Sequence, residues 1–381
     1  MFNPKSRQDD MAQNGARSIS QSSNLANKIA LRDFQNAIAV SSKSDVLRAL
    51  GEAYHEDAIW RGSHPLNEMQ GPQAMAETVW QNLLHSFPDL ERRDEIIVGG
   101  RYCDRHGAEK EMVACLGHYC ATFRHDWLDI PATNQPVWLR YGEVHEMTEG
   151  RIGRSTCLWD ILDLIRQAGF WPLAPSRGTE GRWMGPITGD GLVFSEQDME
   201  EGLGSIAQTL AMHKTLADYK DHEHKGRDGL LAMPQKQHWH EKMMWYGPSG
   251  IGTTRGLAGF VDFHQLPFRL AFPGRKGGQT LTRMDAYPDA GHYIQIGDGA
   301  YSVTGGWPSV VATHSGGTLF GTGPTGREVG MRVMDFYLHH EGRIRENWVP
   351  LDVIDLLNQM GVDVMARMRE QAGRGAASRD A

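Results

Sequence analysis

Apolar positions recur along this chain in two rhythms, and the same order of rhythms occurs twice. Helical spacing runs over 27–40, over 44–54 with Ser44 placed as a cap, and over 195–219 behind a Ser and several acidic residues. Alternating apolar and polar positions predict strands at 95–98, 112–123, 137–147 and 151–158. They predict a second set at 239–246, 293–296, 301–311, 328–338 and 343–349. A short apolar helix closes each set, over 160–168 before Gly169 and over 352–360 before Gly361. Helices followed by a strand, a helix and a long antiparallel meander is an α+β order, not alternating βαβ. Polar sequence frames the two sets. Residues 1–24 and 372–381 read as disordered tails, and the Gly- and Pro-dense stretch 172–194 reads as the junction, with Trp171 and Trp183 seating it on a surface. The expected domains are 25–171 and 195–371.

Aligning the chain with itself explains the recurrence. At an offset of 185, Trp60, Gly62, Gly71, Phe87 and Pro88 fall on Trp245, Gly247, Gly256, Phe272 and Pro273. At an offset of 192, Thr133, Val137 and Arg140 fall on Thr325, Val329 and Arg332, and Glu149-Gly150-Arg151-Ile152 falls on Glu341-Gly342-Arg343-Ile344. Asp160, Asp163, Leu164, Gln167 and Gly169 then meet Asp352, Asp355, Leu356, Gln359 and Gly361. A slightly longer loop in the second half absorbs the difference between the offsets, so the chain reads as one unit duplicated. The Glu-Gly-Arg-Ile run reads as a hairpin turn with Gly at positive φ. Trp-x-Gly and the later Gly read as brackets of a loop that needs backbone freedom. Most of the matches are scaffold.

Composition narrows the class. The 381 residues are 40% hydrophobic and 23% charged, enough for two domains with real cores. A formal charge of −8 argues against a nucleic-acid surface. No run approaches a membrane helix and the N-terminus has no apolar signal core, so a cytoplasmic protein without a membrane partner is expected. Cys103, Cys115, Cys120 and Cys157 lie in the first half with no CxxC pair, and read as reduced side chains rather than a zinc site. The 11 Trp and 17 His residues cluster near 238–246, 292–314 and 337–348, as the lining of a pocket would.

The second half contains Trp245-Tyr246-Gly247, Phe272-Pro273, His314-Ser315-Gly316, Pro324-Thr325-Gly326-Arg327, Arg332, Asp335, Gly342-Arg343-Ile344, and Trp348 followed by Asp352. The first contains Trp60-Arg61-Gly62, Phe87-Pro88, His125-Asp126-Trp127, Pro131-Ala132-Thr133-Asn134, Arg140, Glu143, Gly150-Arg151-Ile152 and Asp160. Over about 25–170 and 195–370 the chain resembles the SnoaL-like polyketide cyclase branch of the nuclear transport factor 2-like superfamily. The resemblance implies two tandem α+β cones, each a strongly curved mixed or antiparallel sheet wrapped around N-terminal helices. It implies that they pack as a pseudo-dimer through open sheet faces, with further homo-oligomerisation open. It also implies a cavity for a small hydrophobic carbonyl compound, and a carboxylate whose burial raises its pKa toward neutrality. Such a group moves protons at carbon without a cofactor, in cyclase, isomerase or lyase chemistry. The alternatives are a hydrolase or dehydratase that activates water, or a binding module without catalysis.

Asp335 is the leading candidate base, because Val333, Asp335 and Tyr337 share one strand face among bulky residues; an ion pair with Arg332 is the structural alternative. Glu143 stands at the same place in the first copy, with His145 two residues on as a candidate partner. His314 is placed to orient Asp335 or to donate to an oxyanion. Trp245, Trp307, Trp348 and Arg332 are expected around the second cavity, and Trp60, His118 and His125 around the first. The first copy departs from the pattern with Glu for Asp, Cys157 near the place of Trp348, and no Gly after its Pro-Ala-Thr. His238-Trp239-His240 alternates as a metal pair would but lacks a third ligand, so no metal is expected. His222-Glu223-His224 reads as a solvated loop. Gly202-x-Gly204-x-x-Ala207 follows no strand, and neither a P-loop nor a GxSxG elbow occurs.

Overall fold

The computed structural model describes residues 21–42, 44–103, 109–218, 223–273 and 291–373. The expected tails therefore lie outside the described residues, apart from 21–24 and 372–373, and so does His222. Helix α1 (Gln21–Ala39) starts within the expected tail, and buries Leu31, Phe34, Gln35 and Ile38 along one stripe. Helix α2 (Val46–Ala53) follows, with Asp45 rather than Ser44 at the cap position and no side-chain cap bond. Strands β1 (Tyr54–Gly62) and β2 (Asn67–Gln70) come next. Then α3 (Gly71–Met75), a π turn (Ala76–Trp80) and α4 (Gln81–Ser86) run without a break. The meander is β3 (Glu91–Cys103), β4 (Glu109–Thr122), β5 (Pro136–Thr148) and β6 (Arg151–Trp159). Helix α5 (Ile161–Gln167) closes the unit, capped by Asp160, whose carboxylate accepts from Asp163 N at 3.0 Å.

The second unit repeats this order. Helix α6 (Met199–Ala217) is capped by Asp198, four residues inside the expected start, because Asp198 accepts from Glu200 N at 2.8 Å. Helix α7 (Gly226–Ala232) and a 3-10 turn (Pro234–Gln237) lead to β7 (Trp239–Tyr246) and β8 (Thr254–Arg255). Helices α8 (Gly256–Phe260) and α9 (Leu266–Ala271) flank a second π turn (Val261–Gln265). Strands β9 (Ile294–Asp298), β10 (Tyr301–Thr313), β11 (Glu328–His340) and β12 (Arg343–Trp348) follow. Helices α10 (Val353–Gln359) and α11 (Val364–Gln371) end the unit; no apolar pattern predicted the last. The sheets have matching orders, β2-β1-β6-β5-β4-β3 and β8-β7-β12-β11-β10-β9, with one parallel pair in each, β1–β6 and β7–β12. These are two open mixed sheets in two α+β domains.

Two repeated motifs acquire physical reasons. Gly62 and Gly247 have no left-handed backbone; a Cβ at either would land inside the ring of Trp60 or Trp245, two residues earlier on the same strand face. Trp-x-Gly is thus a seat for an indole folded flat on its own strand, and backbone freedom is not the reason. In the Glu-Gly-Arg-Ile turns both central residues are left-handed, Glu149 with Gly150 and Glu341 with Gly342, as a two-residue hairpin of matching twist requires.

Each sheet buries one face against its own helices and the other against its twin. Ile96, Val98, Met112, Ala114, Leu116, Val144 and Leu158 of the first sheet form one apolar layer with Ile294, Ile296, Val303, Met334, Phe336 and Leu338 of the second. The polar contacts at its margin are reciprocal. Ser249 N donates to Asp160 Oδ2 at 2.9 Å, and His64 N, at the offset of 185, donates to Asp352 Oδ2 at 2.8 Å. Arg140 binds Asp160 at 2.5 Å and Ser249 Oγ at 3.0 Å; Arg332 binds Asp352 at 3.0 Å and Asn67 at 3.1 Å. A buried Lys28–Asp298 pair at 2.7 Å adds a further bridge. Such mutual use of one patch is the signature of a two-fold interface, here held within one chain. The Gly- and Pro-rich segment packs along it: Leu192 bridges to Ile97, Thr179 to Thr253, and buried Trp183 donates to Gly247 O at 2.8 Å.

Candidate functional site

Both acids singled out by sequence face the helix side of their sheets. On β5, Tyr141 and Met147 lie in the helix-side core and Val144 in the inter-sheet layer, so alternation turns Glu143 inward. On β11, Met331 and Tyr337 lie inside and Met334 and Phe336 outside, so Asp335 also points inward. The positions are equivalent, but their surroundings are not.

Glu143 is sealed. Arg92 Nη1 donates to its Oε2 at 2.8 Å, while Trp159 Nε1 and Tyr119 OH donate to Oε1 at 2.8 and 3.2 Å. Arg92 also donates through Nε to Asp94 at 3.0 Å, and Asp94 accepts from Tyr141 OH at 2.8 Å. His145 stands 3.6 Å from Glu143 and is tied to Ser155 at 2.8 Å. Trp60, Trp80 and Trp127 pack around Trp159. Burial alone would push the Glu143 carboxyl up, but the Arg92 charge and the His145 and Trp159 contacts overturn this and hold it at about 2. The expectation of a carboxyl raised toward neutrality fails for this copy. A permanently ionised carboxylate with its oxygens occupied is a poor acceptor for a proton on carbon.

Asp335 is half-buried. Fully buried Thr304 stands across the ladder from it, and Asn347 Nδ2 approaches its Oδ1 to 3.5 Å. Two residues along, the Tyr337 phenol is hydrogen-bonded to Asp335 and lies 2.8 Å from Nε2 of His213, which projects from α6. The His213 ring is tilted against His292, with centroids 4.9 Å apart. Burial, then His292, pushes His213 well below the usual imidazole value; burial, then the Asp335 charge, pushes the Tyr337 phenol well above its own. Both are neutral near neutral pH. Deeper along the same face, Ser302, Thr209 and His339 Nε2 bond one another at 2.8–3.0 Å, and burial lowers His339 to about 4.

The remaining candidates scatter. Trp60 and Trp245 are buried on the helix side, where Trp245 stacks on His264 at 4.4 Å. His314 is buried but remote: it follows β10, and Asp335 pairs with Thr304, on the order of 30 Å back along that strand. Its ring bonds Thr325 Oγ1 and Gly317 O, at 3.3 and 3.1 Å, fixing the loop rather than orienting Asp335. Arg332, Trp307 and Trp348 belong to the domain interface instead of the second cavity. Arg332 lies 4.2 Å over the Trp307 ring, and Trp348 stacks on Tyr246 and donates to Met184 O. Their strand parity points them outward. His118 is also on the outer face, 3.0 Å from Glu95, and exposed His125 stacks on His85 at 4.3 Å. His240 binds Glu341 at 3.1 Å, and no metal-holding cluster of three occurs among the described residues. Sequence reading missed Arg92 and Asp94 because it began that strand at 95; their i, i+2 spacing was the available signal. His213 lay inside an expected helix, but nothing local tied it to Tyr337.

A family model described as SnoaL-like polyketide cyclase matches residues 30–168 and 308–360, one segment in each domain and together half of the chain. The chain belongs to the SnoaL-like polyketide cyclase family. Among solved structures, this SnoaL-like chain is similar to IdmH, a proposed polyketide cyclase from Streptomyces antibioticus. The identity is 18% over 36% of this chain and 98% of that one, with a TM-score of 0.30. It is similar to a proposed SnoaL-like polyketide cyclase from Jannaschia, at 18% identity, 40% and 95% coverage and a TM-score of 0.31. A third likeness is to an epoxide hydrolase of M. tuberculosis, at 15% identity, 38% and 90% coverage and a TM-score of 0.28. No curated protein matches. No helix among the described residues is long and apolar enough to cross a membrane.

Proposed function

We propose that the second domain is an acid–base site for a small hydrophobic carbonyl compound, with Asp335 as the base, and that the first domain is its structural mate. The observation that carries this is the contrast between the two acids. Glu143 is enclosed by Arg92, Tyr119 and Trp159, whereas Asp335 is half-open on an inner face that also presents Asn347 and Thr304. Asp335 takes a proton from carbon beside the carbonyl, and the neighbouring amide and hydroxyl donate to the oxygen that gains charge. The step needs no cofactor, and the product is a cyclised or isomerised compound. Exchange of the carbon-bound protons of β-tetralone in heavy water, followed by NMR, reads this step without the natural substrate. Asp335→Asn should slow exchange about a hundredfold or more while near-UV circular dichroism stays unchanged; wild-type exchange in that variant sinks the assignment.

A second reading is favoured by the 3.5 Å approach of Asn347 to Asp335, a geometry that suits a bridging water as well as a carbonyl. In that reading the enzyme is a hydrolase or dehydratase. Product formed in heavy-oxygen water carries label only if water attacks.

A further inference from the structure

We propose that Tyr337 is the acid that completes the reaction begun by Asp335, and that His213 is the positioning residue holding its phenol. This rests on the reading of Asp335 as the base. The observation is three groups in contact on one inner face: the Asp335 carboxylate, the Tyr337 hydroxyl hydrogen-bonded to it, and His213 Nε2 at 2.8 Å from that hydroxyl. They come from two elements, β11 and α6, whose packing fixes the contact.

Closing a ring by carbon–carbon bond formation moves two protons. One leaves carbon, and one must reach the oxygen of the carbonyl that is attacked. Asp335 takes the first, breaking C–H and forming O–H. The resulting enolate attacks the second carbonyl, whose alkoxide removes the phenol proton of Tyr337. The phenolate recovers a proton from the Asp335 carboxylic acid, so both side chains return to their starting states with no co-reactant. A buried phenolate is costly, and the bond from His213 lowers that cost during its short life. His213 is neutral, so it must supply its one N–H at Nε2. With Asp335 ionised, the phenol donates to the carboxylate, because charge-assisted bonds are the stronger, and its oxygen accepts from His213 Nε2–H. Thr304 and His292 are the other polar neighbours, of Tyr337 and His213 respectively.

The tautomer of His213 tests this directly. In full-length protein labelled with nitrogen-15 histidine, the resonances absent from His213→Gln identify the ring. The expected result is a neutral Nε2–H form at and somewhat below neutral pH, switching to Nδ1–H in Asp335→Asn, where the phenol turns to donate to Nε2. An Nδ1–H form in wild type, titration near the ordinary value of about 6.5, or a tautomer indifferent to Asp335 overturns the arrangement. Closure of acetonylacetone to its hydroxycyclopentanone, which then loses water to give methylcyclopentenone and is read by ultraviolet absorbance beside β-tetralone exchange, separates the roles. Tyr337→Phe should lose closure about a hundredfold and lose much less of the exchange; wild-type closure in that variant, or equal loss of both, overturns the acid assignment. Exchange surviving in Asp335→Asn instead refutes the base reading, and the tautomer switch alone then decides whether the three groups are coupled.

Discussion

Removing Arg92 tests the account of the first cavity most severely. The guanidinium is the cation shared by Glu143 and Asp94, with its side chain only 4% exposed and Glu143's 3%. Arg92→Met keeps the apolar stem and leaves Glu143 with Trp159, Tyr119 and His145. The drop of the Glu143 carboxyl from 4.5 to about 2 corresponds to about 3 kcal/mol, at about 1.4 kcal/mol per tenfold change in acidity. This stability is present above pH 4.5, where the unfolded carboxylate is ionised, and is lost as pH falls through about 2. Stranding a buried charge costs about 3–5 kcal/mol by a separate route, so the two figures agree for Arg92→Met at neutral pH. Urea unfolding at neutral pH and near pH 3 measures both. The deficit should be large at neutral pH and smaller in acid, where the stranded carboxyl takes up a proton. Adding Glu143→Gln to Arg92→Met should restore part of the loss, because the more buried of the two stranded charges is then gone and only Asp94 keeps its own. A neutral-pH deficit below about 1 kcal/mol, well short of a stranded buried charge, or no rescue by Glu143→Gln, refutes the view that one cation holds this interior together.

Two further predictions concern the scaffold. Gly62→Ala and Gly247→Ala force a methyl into the Trp60 and Trp245 rings and should each cost about 1–3 kcal/mol in urea unfolding; Gly153→Ala, whose nearest neighbour is Thr148 Oγ1 at 3.9 Å, should be near neutral. At the interface, burial raises Asp352 from 3.8 to about 6 against the pull of Arg332. The raised value favours the folded state below pH 3.8, and that advantage fades as pH rises through about 6. The slope of the urea midpoint over that window should flatten in Asp352→Asn; an unchanged slope counts against the assignment.

The architecture was legible because its signals are local or repeated. Alternation along 328–338 placed Asp335 and Tyr337 on one face, and the two offsets exposed the duplication. What failed was strand parity and distance. Trp348 and Arg332 sat in family-like motifs, yet each lies one residue out of phase with the inward set, and a one-residue step moves a side chain to the opposite face of a sheet. His314 failed through length: a shared strand says nothing about proximity when the partner is about ten residues away. The Arg92 clamp and the His213–Tyr337 contact are long-range pairings, the first made when β3, β4 and β5 come together and the second when α6 docks on its sheet, and no spacing in one sequence announces them.

The duplicated clamps explain why the cavities could diverge while the shell did not. Arg140 with Asp160 and Arg332 with Asp352 each need a residue from the other copy, so altering one breaks a contact that holds both sheets. The interiors carry no such reciprocal clamp among the described residues, because each inner face packs on helices of its own unit. At the offset of 192, Glu143, His145 and Ser155 of one copy become Asp335, Tyr337 and Asn347 of the other. In the first copy the histidine is spent on Ser155 and the acid on Arg92. In the second, the strand histidine is replaced by a phenol and an imidazole arrives from α6. A carboxylate locked by an adjacent guanidinium contributes rigidity, whereas one beside two neutral proton carriers contributes proton transfer. The backbone is therefore common to both copies, and the proposed division of labour resides in three inward positions and the helix face that meets them.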